Sequence, residues 1–165
     1  MVVGSVLFTF GFACAVPFAA LAAISAMTLG RRDALATTGA IWLANQAMGF
    51  AFLRYPTDSE TLAWGAALGL VALLSCETAG FVMRRLAGVV GASVAFLAAF
   101  VAYEGSIILI DVAIGYRGVA LAPETIARIF LINVSAFGVL WALHATTSVL
   151  GLTRKLRVEL ASRHI

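Results

Sequence analysis

Charge is what this chain has least of. Asp, Glu, Lys and Arg make up 12% of its 165 residues, about half the roughly 25% usual in soluble domains. That scarcity, set beside long uninterrupted apolar runs, excludes an ordinary globular protein. Histidine and cysteine number two each. Cys14 and Cys76 both fall in apolar runs, with no C-x-x-C or Cys/His spacing to suggest zinc or a redox pair. Of the histidines only His144 lies within an apolar run, which excludes a bis-histidine haem held by one chain. G-x-S-x-G, H-E-x-x-H, P-loop and G-x-G-x-x-G signatures are absent. The serines of the apolar runs (25, 75, 93, 106, 135 and 148) have no base at a readable spacing. No cofactor and no enzymatic activity are expected. The net charge of +3 does not point to nucleic acid, because the basic residues cluster at the ends of apolar runs.

What is present is hydrocarbon. Hydrophobic residues reach 62% and the mean hydropathy is +1.03. A helix crossing roughly 30 Å of bilayer core needs about 20 apolar residues. Five runs meet that length, near 2–30, 34–53, 61–83, 86–114 and 125–152. They are expected to be helices, because only helices and closed barrels satisfy every backbone group in lipid, and continuous apolar runs lack the alternation of barrel strands. The expectation is an all-α, polytopic membrane bundle of about five transmembrane helices. It forms a single domain over 1–152, followed by a basic tail at 153–165. No signal peptide is expected, since no basic residue precedes Arg31 and the first run exceeds a signal-peptide core.

Basic residues set orientation. With five spans, one face receives Arg31, Arg32, Arg84, Arg85, Arg154, Lys155, Arg157 and Arg163, and the other Arg54, Arg117 and Arg128. The first face is read as cytoplasmic. This puts the N-terminus outside and the C-terminus inside, with the tail resting on anionic headgroups. In the first run Gly11, Ala15, Ala19 and Ala23 recur every four residues, and Gly65 and Gly69 repeat the spacing in the third. Such stripes let helices approach closely, within the bundle or against another subunit. Pro17 interrupts the ladder.

Ionisable groups inside membrane spans are functional-site hypotheses by default. Glu104 lies about four residues outward of its span's centre, roughly 6 Å at 1.5 Å per residue. Tyr103, Asn45, Gln46 and Asn133 fall at the same outer depth. This layer is the expected ligand-binding site, with the amides serving otherwise as glue between helices. Asp111 is read as a solvated end. Glu77 and His144 form an inner layer, a candidate proton relay or secondary polar site, in which Glu77 could instead offset Arg84 on its own helix. Asn133 and His144, eleven residues apart, share one stripe of the last helix. A carboxylate–imidazole–amide set could take a divalent metal, but no ligand spacing sharpens that.

Asn45-Gln46-Ala47-Met48-Gly49-Phe50, Tyr55-Pro56 and Trp64-Gly65 resemble an N-Q-x-x-G-F…Y-P…W-G pattern of small bacterial inner-membrane proteins. Tyr103-Glu104 and Phe130-Leu131-Ile132-Asn133 belong to the same resemblance. It covers most of the chain, implies the bacterial inner membrane and implies no activity. The ladder Ala15, Ala19 and Ala23, with a polar layer near the outside, is similar to the substrate-binding S components of energy-coupling-factor transporters. That similarity implies docking of a transport partner through the ladder and a ligand site open to the exterior. That family has six helices, one more than the five read here. The expected function is a membrane component that captures a small solute, vitamin-like or a divalent cation, from the outer side. A structural or assembly subunit and a proton-coupled carrier are the alternatives. The expected partners are the bilayer, a small-molecule or ion ligand and a transport subunit or second copy, with no nucleic acid.

Overall fold

The computed structural model describes residues 16–115 and 122–149. These residues form five helices and no strand: α1 Phe18–Thr28, α2 Arg31–Ala51, α3 Ser59–Met83, α4 Gly88–Ala113 and α5 Pro123–Val149. The links are short. Leu29 and Gly30 join α1 to α2, and Gly30 stands extended as the cap of α2. Arg54 turns the α2–α3 loop with a φ of 54°. Asp58 then starts α3 by accepting a 2.8 Å hydrogen bond from the Thr61 amide, as an N-cap carboxylate should.

The short α1 is the hub. It packs against all four other helices, while α2, α3, α4 and α5 follow one another in an arc around it. The ends of that arc, α2 and α5, make no packing contact among the described residues. Alanine makes the arrangement feasible. Ala20 and Ala23 of α1 meet Ala79 of α3, Ala95 and Ala99 of α4, and Ala136 of α5 in one fully buried cluster. Side chains this small bring helix axes close and gain packing energy over long contact lines.

Large side chains are distributed the other way. Among the described residues only Leu21 is a buried leucine, while eleven leucines stand exposed, from Leu29 and Leu43 to Leu131 and Leu143. In water the preference would be the reverse, with leucine inside.

Three of the five expected spans, α3, α4 and α5, are long and apolar enough to cross a membrane. α2 has the length, but Arg31, Arg32 and Asp33 in its first turn, with Asn45 and Gln46 beyond, dilute its apolar character. α1 has 11 residues, about 16 Å of helix, because the helix begins after Pro17. The expected first span over 2–30 is described from residue 16 onward. Gly11, Cys14 and Ala15 lie outside the described residues, as does the tail 153–165.

The alanine ladder needs correction as a docking surface. Ala19 and Ala23 have no exposed area, because α1 is enclosed by its own bundle. Their small side chains are used in internal packing and present nothing to a partner. Gly65 and Gly69 are likewise internal. A methyl group on Gly69 would come within 2.5 Å of the Trp42 ring, so the glycine makes the seat for that indole.

Candidate functional site

All five residues of the expected outer layer line one cavity of about 460 Å³. α2 contributes Asn45 and Gln46, α4 Tyr103 and Glu104, and α5 Asn133. Aromatic and apolar walls complete it: Phe18 at the start of α1, Tyr55 from the α2–α3 loop, Trp64 and Leu68 of α3, and Ile129 and Ile132 of α5. The volume falls in the roughly 300–1,000 Å³ range of small-molecule pockets.

Local structure explains how each wall is held. Tyr55 folds back over the end of α2, its amide donating to the Gly49 carbonyl at 3.1 Å. Its ring lies where a Gly49 side chain would be, 2.6 Å from an added methyl. Phe18 and Tyr103 stack with ring centroids 6.0 Å apart. The Gly65 carbonyl accepts from Trp42 Nε1 at 2.8 Å and from Gln46 Nε2 at 3.3 Å. Gln46 is thereby fixed by its nitrogen, and its Oε1 is left to accept.

The polar residues are not equivalent. Asn133, 2% exposed, is already satisfied on both sides. Its Oδ1 accepts from the Ala20 amide at 3.1 Å and its Nδ2 donates to the Ile129 carbonyl at 3.0 Å. Ala20 is in the first turn of α1, whose own N-cap position, Pro17, provides no side-chain bond. Helix starts leave backbone donors that need partners, and here α5 supplies one from across the bundle. Glu104, by contrast, is 7% exposed and has no hydrogen bond or ion pair among the described residues. Asn45 is half-buried and also makes no hydrogen bond there.

The inner layer does not assemble as expected. Glu77 lies against Arg31 of α2, with Nε 2.8 and 3.1 Å from its two carboxylate oxygens. Arg84 lines the same second cavity of about 360 Å³, with Cys76, Met27 and Met83, but the ion pair is made with Arg31. His144 stands on an exposed stretch of α5, among Ala142, Leu143, Ala145 and Thr146. It lines neither that cavity nor the one at Glu104. It shares a helical stripe with Asn133, but α5 leans chiefly on α1 and only lightly on α4, and the stripe is covered at Asn133 and Ala136 and exposed at His144. Asp111, expected at a solvated end, is buried with 5% exposure. No group of three or more His, Cys, Asp or Glu side chains converges among the described residues.

Fold and cavity together define a class: among the described residues, an all-helical bundle with three helices long and apolar enough to cross a membrane, around a cavity lined by one carboxylate. No family model, curated protein or solved structure matches the chain.

Proposed function

We propose that the protein is a multi-pass component of the bacterial inner membrane that captures a small solute in the cavity at Glu104, from the outer side. The N-terminus is outside and the C-terminus cytoplasmic. The observation that carries this reading is a buried carboxylate without a partner among the described residues, set in a cavity of ligand size. A membrane setting is supported by the three long apolar helices and by the leucines facing outward from an alanine core. An orphan carboxylate in such surroundings is costly, and a solute that pairs with it removes the cost. Asn45 and the free Oε1 of Gln46 add hydrogen bonds, and the aromatic walls add contact area. The chain shows no nucleotide-binding motif, so release or translocation calls for a partner subunit or an ion gradient.

The test is Glu104→Gln in the purified, membrane-reconstituted protein. Solute binding should be lost while helical content and the unfolding temperature are kept. Unchanged binding would count decisively against the reading.

A second reading, a structural or assembly subunit, is favoured by one observation. Asn133, expected to contact ligand, is hydrogen-bonded as internal glue. Under that reading Glu104→Gln alters stability or assembly alone. The proton-carrier alternative draws no support from the geometry, because Glu77 pairs with Arg31 and His144 lies elsewhere. Transport independent of pH in both the wild type and Glu77→Gln would dispose of it.

A further inference from the structure

We infer that the cavity's ligand is an organic cation, a protonated amine or amidine carried on a flat apolar body. This rests on the solute-binding reading and narrows it.

Charge comes first. Among the described residues, Glu104 is the only acidic one lining the cavity, and no Lys, Arg or His lines it. The one ion pair among the described residues, Arg31–Glu77, belongs to the other cavity. An anionic solute would meet a buried carboxylate with nothing to offset it, and a neutral solute would leave that carboxylate unpaired.

Hydrogen-bonding capacity agrees. Beside the Glu104 carboxylate and Gln46 Oε1, which accept, the Asn45 amide and the Tyr103 hydroxyl make no hydrogen bond among the described residues and can donate as well as accept. The nitrogens of Gln46 and Asn133 donate to the carbonyls of Gly65 and Ile129. The start of α1, which would attract an anion, already has Asn133 Oδ1 on its Ala20 amide. The ionised carboxylate, which can only accept, selects a ligand that donates to it.

A metal ion fits less well. Hard divalent cations take about six or more oxygen ligands, often from several carboxylates, and no such cluster forms among the described residues. The cavity is also far larger than an ion, and its walls are Phe18, Tyr103, Trp64 and aliphatic side chains. Aromatic faces attract organic cations through their quadrupoles and stack on flat apolar groups.

The test uses matched triplets that share a skeleton: 2-phenylethylamine, 2-phenylethanol and phenylacetate, with the corresponding naphthyl and indolyl sets. Binding is measured by calorimetry on the full chain in phospholipid nanodiscs. The amines should bind about tenfold tighter than the alcohols, the factor expected of one charge-assisted hydrogen bond, and the acids should not bind. In Glu104→Gln the amine and alcohol affinities should converge. Alcohols or acids that bind as well as the amines would overturn the ligand class and leave solute capture standing. Failure of every triplet would overturn the class and count against the cavity as a binding site. Selectivity retained in Glu104→Gln would remove Glu104 as its source. The wild-type comparison is decisive even if the variant does not fold.

Discussion

At the scale of single residues, the cavity holds two asparagines with different tasks. Asn133 closes a backbone donor of α1, and Asn45 is free to meet a ligand. Asn133→Ala should therefore lower stability by about 1–3 kcal/mol, the cost of leaving a buried donor unpaired, read as a lower unfolding temperature in detergent. Asn45→Ala should leave that temperature unchanged and weaken solute binding. If the two effects were exchanged, the division between scaffold and site would be wrong. Glu77 is a third case. Its arginine partner is largely exposed, so a pair of this kind adds little to stability. Glu77→Gln should leave solute affinity in the cavity at Glu104 unaltered, as measured by the same calorimetry.

At the scale of helices, packing turns on where glycine meets an aromatic ring. Gly69→Ala should force the Trp42 indole out of its seat and cost about 1–3 kcal/mol, as overpacking does. Gly39, on the same α2 as Trp42, has nothing within 4 Å of an added methyl. Gly39→Ala should be neutral or stabilising by roughly 0.5–1 kcal/mol. Thermal unfolding of the two variants side by side checks both. Helix identity was legible in the sequence, because long apolar runs leave few options, and so was the grouping of five polar side chains around one cavity. Asn45, Gln46, Tyr103, Glu104 and Asn133 stand out against apolar neighbours, and topology gave them a common depth. Phe18 and Trp64 were not legible as walls, because an aromatic side chain facing a cavity reads the same as one facing lipid. The partner of Glu77 was missed because Arg84 is near in sequence, whereas Arg31 becomes a neighbour only once α2 packs on α3. His144 shows the limit of helical phase, which tells which face a residue shares but not whether anything covers that face.

At the scale of the whole molecule, the proposed orientation has a direct check. In a background with Cys14 and Cys76 replaced by alanine, Asp58→Cys should react with an impermeant maleimide added to intact spheroplasts. Leu86→Cys should react only after the membrane is opened. The opposite pattern would invert the topology, and with it the side from which solute arrives. The bundle's centre also has a mechanical character. The buried side chains Phe18, Leu21 and Ile24, three residues apart among the alanines of α1, key it into the bundle against sliding along its axis. Against such travel, the bond from the Ala20 amide to Asn133 acts as a detent. It sets the height of α1 against α5, and so the position of Phe18 relative to Tyr103 and Glu104. The same side chain that completes a helix start thus gauges the depth of the cavity.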